Sequence, residues 1–244
     1  MVVLFFLMWL LQVHFIKTHT QNINLKMHWN LLGHGFHREL ITTITIPDDI
    51  RTLHSNKGCS ILLLQSLPPG VYADPFQLSS LVQFGGPKVL FNNDVNIEAP
   101  EYLSKTVELY IFLQVSDYKF YQSSKNTVIN ISLPIHARYH KPTAMKEVTH
   151  SPITLLHPGL YSNCSQLDPN HAISAPCSFL NNAVCQWTQL HYLSSTAPLH
   201  MTVPVGQEKD KPLVIVITLL VTFIACSFLL RAMWSFNNAH PKTS

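Results

Sequence analysis

The stretch Leu213–Leu230, LVIVITLLVTFIACSFLL, runs for 18 residues without an Asp, Glu, Lys or Arg. At a helical rise of ~1.5 Å per residue it reaches ~27 Å, enough to cross a thin hydrocarbon core. Backbone in lipid has to satisfy its own hydrogen bonds, so residues 213–230 are expected to form a transmembrane helix. A shorter apolar block, Val2 to Ile16, reads VVLFFLMWLLQVHFI. Its length suits a signal-peptide core better than a span, so residues 1–20 are read as a secretory signal cleaved after Thr20, with an uncleaved anchor as the alternative. Lys209 and Lys211 precede the long block while Arg231 and Lys242 follow it, so the positive-inside rule gives no orientation. The signal then decides: residues 21–212 form a lumenal or extracellular domain, and residues 231–244 a short cytosolic tail. Glu208 to Lys211, EKDK, reads as a solvated juxtamembrane linker.

The cysteines fit this topology. Cys226 falls in the apolar helix, whereas Cys59, Cys164, Cys177 and Cys185 all lie on the translocated side. In an oxidising compartment four cysteines permit two disulfides, in any of three pairings. No C-x-x-C pair is present, and the intervals from Cys164 to Cys177 to Cys185 do not match a zinc knuckle. Asn130 (N-I-S) and Asn163 (N-C-S) are glycosylation acceptors, which are meaningful only on that same side. The formal net charge of +3 carries no long run of either sign, so the chain has no electrostatic footprint for nucleic acid.

Between the two apolar blocks the hydrophobic period is two, punctuated by prolines and turn signals such as LPPG at Leu67 to Gly70 and FGGP at Phe84 to Pro87. Strands are expected over Glu39 to Ile46, Ser60 to Leu67, Leu90 to Ile97, Thr106 to Val115, Thr127 to Tyr139, Cys185 to Tyr192 and Met201 to Val205. Thr106 to Val115 is apolar on both faces and is placed centrally. From Asn130 to His140 the odd positions, Ile131 to Tyr139, form a core face, and the even ones, including His136, Arg138 and His140, a wet face. Pro134 cannot donate to a ladder, so that strand belongs at an edge or carries a bulge. Ser151 to Pro176 reads as a long connection. The fold class that follows is mostly β, an antiparallel β-sandwich with one C-terminal transmembrane helix.

Chemistry is hard to find. His136 and His140 would sit ~13 Å apart on a strand, too far to share a metal. His34 and His37 in GHGFH lack a cysteine or carboxylate partner at motif distance. The chain has no G-x-S-x-G elbow, no P-loop and no G-x-G-x-x-G. No catalytic residue, metal site, cofactor or small-molecule substrate of its own is therefore assigned. A one-span, glycosylated β domain of this kind suits a receptor, an adaptor or an accessory subunit, and binding is the expected role.

Two strings narrow that class: LPPGVYADPFQL at Leu67 to Leu78 and ISLPIHARYHKP at Ile131 to Pro142. Together they resemble the PIG-X/Pbn1 family. IEAPEY at Ile97 to Tyr102, APCS at Ala175 to Ser178, CQW at Cys185 to Trp187 and VPVG at Val203 to Gly206 extend the likeness. The resemblance implies a non-catalytic, stabilising subunit of the mannosyltransferase that adds the first mannose to the glycosylphosphatidylinositol (GPI) anchor precursor. It also implies a single-pass type I protein of the endoplasmic reticulum membrane, with the multispanning transferase PIG-M as partner. On this reading the partner-contact candidates are His136, Arg138, His140, Tyr72 and Phe76, with Pro68, Pro69 and Gly70 turning Val71, Tyr72 and Phe76 to a surface. Thr218, Thr222 and Cys226 give the helix small or polar residues for helix contacts. The tail carries no dilysine pair, so residence in the reticulum is expected to depend on the partner. The alternative from another class is a cell-surface receptor or adhesion module, and a third is a domain that binds the anchor precursor itself.

Overall fold

The structure, a computed structural model, describes residues 25–47, 59–113, 126–145, 147–164, 172–194 and 197–239. The expected signal at residues 1–20 lies outside the described residues. Thirteen strands are found among those described: β1 Leu25–Leu32, β2 His37–Pro47, β3 Ile61–Leu67, β4 Val71–Tyr72, β5 Lys88–Phe91, β6 Val107–Leu113, β7 Asn126–Ala137, β8 His150–Leu155, β9 Gly159–Ser162, β10 Ala172–Ser178, β11 Asn181–Gln189, β12 Tyr192–Ser194 and β13 Leu199–Pro204. Two α-helices join them, α1 Pro75–Val82 and α2 Lys211–Ala239.

One sheet has the order β12-β1-β2-β7-β4 and a second β10-β11-β9-β3-β6-β5, while β13 and β8 form a separate pair. All pairings are antiparallel except β1 with β12. Alternation drives the assembly. Leu25, Met27 and Trp29 of β1, Leu40, Ile44 and Ile46 of β2, and Ile129 to Ile135 at odd positions of β7 turn one face inward. They meet Ile61, Leu63 and Leu67 of β3 with Leu109, Ile111 and Leu113 of β6, and Ile153, Leu155, Met201 and Val203 of the β8–β13 pair close the same core. Two sheets sharing one apolar layer make the sandwich that the period-two pattern predicts.

Several expectations are corrected. The span Ser151 to Pro176 is not a connection, because it holds β8, β9 and the start of β10. Prolines at Pro152 and Pro176 masked those strands, although both sites lie on lightly paired ribbons where a missing N–H is tolerated. β6 is not central: only β5 separates it from the edge of its sheet. Its second apolar face is nonetheless real, since Phe112 packs with Leu62, Ala175 and Trp187 in a smaller cluster on the opposite side of β3 and β6. Leu90 to Ile97 is strand only as far as Phe91. FGGP does not link two strands. It ends α1, with Phe84 and Gly86 N–H groups donating to Leu81 O and Gly85 at φ 83. Asp74 caps the other end by accepting from Phe76 N–H, and Pro75 supplies the first turn, where its missing N–H costs nothing.

β7 pairs with β2 along its whole length, Pro134 opposite Glu39, with no break in register. On its other side β4 covers only His136 and Ala137. Pro134 is thus accommodated by an open flank and not by a bulge.

The disulfides are Cys59–Cys164 and Cys177–Cys185. The first ties the entry of β3 to the exit of β9 across a sequence separation of 105 residues. On a chain-entropy account, closing a loop of that order is worth about 4.7 kcal/mol. The second closes the β10–β11 hairpin, whose Trp187 Nε1–H donates to the Ala175 and Pro176 carbonyls.

Candidate partner-binding face

The LPPG turn closes through Val71 N–H donating to Pro68 O at 3.0 Å, and it delivers Val71 and Tyr72 to the end of β7. Val71 pairs with Ala137 and Tyr72 with His136, and Arg138 N–H donates to Gly70 O at 2.8 Å. Gly70 sits in a tight space. A Cβ there would stand 3.0 Å from Ile153 Cδ1 and 3.2 Å from His140 Cε1.

Arg138 organises this junction. Its Nη1 donates to Asn96 O at 2.7 Å and to Ala99 O at 2.6 Å. Its guanidinium carbon lies 4.6 Å from the centroid of the Tyr72 ring. Only 5% of the residue is exposed, so its expected place on a wet face is corrected. β7 ends at Ala137, and beyond it the alternation no longer holds: Arg138 turns inward while Tyr139, expected in the core, is 75% exposed and rests on Phe36 at 5.0 Å. Carbonyl dipoles and the negative face of a ring meet the buried charge. Burial pulls the guanidinium below its ordinary range, with Tyr72 opposing, but a group of such high intrinsic pKa keeps its proton.

His136 is half-buried. Tyr72 stacks on it at 5.1 Å, and the His37 ring stands edge-on at 4.6 Å, with the two Nδ1 atoms 3.3 Å apart. Its Nε2 is 3.0 Å from Gln77 Oε1 on α1. Burial lowers its pKa, the neighbouring His37 lowers it further, and Asp74 opposes both. Burial likewise raises the Tyr72 hydroxyl, Arg138 opposing. His140 Nδ1 lies 3.0 Å from Arg138 O. Of the five contact candidates Phe76 alone stands well clear of this packing, 77% exposed on the first turn of α1. Val71, expected at a surface, is buried in the core.

The histidines expected to be inert as metal ligands are placed in two ways. His34 sits in the β1–β2 turn between Gly33 and Gly35, both at positive φ, while His37 faces His136. Among the described residues no group of three His, Cys, Asp or Glu is placed to hold a metal ion. Asn130 is exposed on β7, its Oδ1 accepting from Thr43 Oγ1 at 2.8 Å. Asn163 sits beside the long disulfide, with Oδ1 accepting from Ser60 N–H at 2.7 Å.

Three strings far apart in the chain, at 67–78, 97–102 and 131–142, therefore meet at one buried cation. A family model described as PIG-X / PBN1 matches residues 33–234, the sheet domain from β2 onward and most of the apolar helix together. The chain belongs to the PIG-X / PBN1 family. It is 31% identical over 215 residues to the human protein named "GPI alpha-1,4-mannosyltransferase I, stabilizing subunit", across 85% of this chain and 79% of that one. It is 29% identical over 214 residues to the mouse protein of the same name, across 85% and 80% of the two chains. No solved structure matches it. In this PIG-X / PBN1 chain three of the strings meet at the junction: 131–142 supplies Arg138, 67–78 the Tyr72 ring and 97–102 the Ala99 carbonyl.

Proposed function

We propose that this chain is the non-catalytic, stabilising subunit of GPI mannosyltransferase I, working beside the catalytic subunit PIG-M in transfer of the first mannose to the anchor precursor. The observation that carries this reading is the extent of the family match, which takes in residues 33–234, the sandwich from β2 onward and the apolar run of its helix. The candidate face supports it further. Its charged and aromatic groups are occupied in holding three segments together, a task of positioning, and it offers Phe76 outward. An aromatic ring on the first turn of a capped helix is a rigid anchor of the sort that fills a pocket on a partner. In this reading α2 spans the endoplasmic reticulum membrane, the sandwich lies in the lumen, and Asn130 presents an accessible acceptor for a glycan there.

The test is genetic and biochemical together. Deleting the chain from cells is expected to lower the abundance of the catalytic mannosyltransferase, and re-expression to restore it. Unchanged abundance on deletion, or mannose transfer by the purified chain alone, overturns the reading. Phe76→Asp is expected to reduce co-purification of the transferase from mild detergent at least several-fold without changing thermal stability. Full recovery with the aspartate removes Phe76 from the interface. Glycans sensitive to endoglycosidase H fit residence in the reticulum, and complex glycans count against it.

A further inference from the structure

The passage from sandwich to membrane helix contains no free linker. Val205 N–H donates to Thr149 O, Thr143 N–H to Gly206 O and Glu208 N–H to Thr143 O, at 2.9, 2.9 and 3.0 Å. Gln207 Nε2 adds a bond to Val148 O at 2.9 Å. A 3₁₀ turn at Glu208–Asp210 then runs directly into α2, Lys211 already having helical dihedrals. The segment expected to be a solvated linker is thus the pinned root of the helix.

That root fixes a height. Leu213, the first residue of the apolar run, lies five positions beyond Glu208, ~7.5 Å at the rise of a helix. The headgroup layer on each side of a bilayer is ~5–8 Å deep. A strap bonded to Glu208 therefore sits at headgroup depth, and there it exposes apolar side chains: Met145 is 69% exposed and Val148 38%. Residues 141–148 and 206–211 together carry four lysines against three acids, too even a balance for attraction to anionic lipid to dominate.

We propose that Pro142, Met145 and Val148 form a lipid-contacting foot, seated in the headgroup–acyl boundary of the membrane that α2 spans and holding the sandwich hard against it. The foot makes its contact by burying apolar area, the way an interfacial segment binds a neutral surface. The proposal depends on α2 crossing a bilayer and not on which transferase the chain accompanies.

The experiment uses the full chain in phosphatidylcholine nanodiscs. Met145→Cys, or Val148→Cys as a second position, is placed in a Cys226→Ser background and labelled with an environment-sensitive fluorophore. Phosphatidylcholine spin-labelled high on its acyl chain is the quencher. Quenching is expected to exceed at least two-fold that at Leu180→Cys, in the exposed β10–β11 turn, and to be unchanged between low and high salt. The native Cys226, labelled in the otherwise unmodified chain, reports the helix. Quenching at Cys226 with none above the Leu180 level at positions 145 and 148 overturns the foot alone. No quenching at any site overturns the membrane span and the foot with it. Quenching that disappears at high salt overturns the apolar mode of contact.

Discussion

The Arg138 junction and the root of α2 both tie separate segments together through backbone carbonyls, but in opposite surroundings. At the junction a single guanidinium is buried, and the Asn96 and Ala99 carbonyls with the Tyr72 ring surround it. At the root the bonds run between backbone groups of half-buried and exposed residues around Thr143 and Gln207, and Met145 and Val148 beside them are exposed. Removing one partner from a buried set leaves the others desolvated and unmatched, whereas water replaces a lost partner at the surface. The residues of the two regions therefore divide by task. Arg138 and its neighbours specify architecture, while the surfaces open to lipid or protein are held up by that architecture and need only be exposed and of suitable chemistry.

The contrast can be tested from its strongest side. Arg138→Ala is expected to lower the unfolding free energy by roughly 2 kcal/mol, because the part-buried hydrogen bonds to the Asn96 and Ala99 carbonyls lose their donor and the buried guanidinium leaves a void beneath Tyr72. Denaturant unfolding of the detergent-solubilised chain measures it. A loss below about 1 kcal/mol would erase the distinction from a surface site. Gln207→Ala at the root is expected to cost no more than about 1 kcal/mol, the net value of one exposed side-chain hydrogen bond. Its effect should appear as faster amide hydrogen exchange around Thr143 and Glu208 with the global transition little moved. A cooperative loss of the whole domain would mean that the root, and not the junction, nucleates its stability.

The smallest effect is set by pH. Burial and His37 depress the His136 pKa below its ordinary 6.5, so on acidification the unfolded chain takes up this proton first. Stability is then expected to fall as pH drops from about 6.5 and to level off once the folded group also protonates. His136→Gln should flatten that part of the stability profile. A profile as steep in the variant as in the original chain would assign the pH dependence elsewhere.

How far the sequence could be read depended on whether a signal was local. β2, β3 and β7 announce themselves through alternation at Leu40 to Ile46, Ile61 to Leu67 and Ile129 to Ala137. β1 does so equally well, with Leu25, Met27, Trp29 and Leu31 spaced by two, but it follows closely on the apolar N-terminal block and was absent from the expected strands. α1 was also encoded, by a capping Asp74 before Pro75, and was hidden because ADPF reads as readily as a turn. β8 and β9 were obscured by proline-rich composition, since a strand of four to six residues offers too few alternations to outweigh it.

The sequence alone determined the apolar helix, the period-two core, the four cysteines outside that helix and the strings that resemble the family, because each is a property of residues near one another along the chain. Only the tertiary structure decided which cysteines pair, that β7 stops at Ala137 so that Arg138 turns inward, and that the root of α2 is bonded to the strap at Thr143. Those outcomes depend on where one segment ends against another. Two carbonyls some forty residues upstream of Arg138 and a two-residue strand at Val71 leave no periodic mark in the residues they capture.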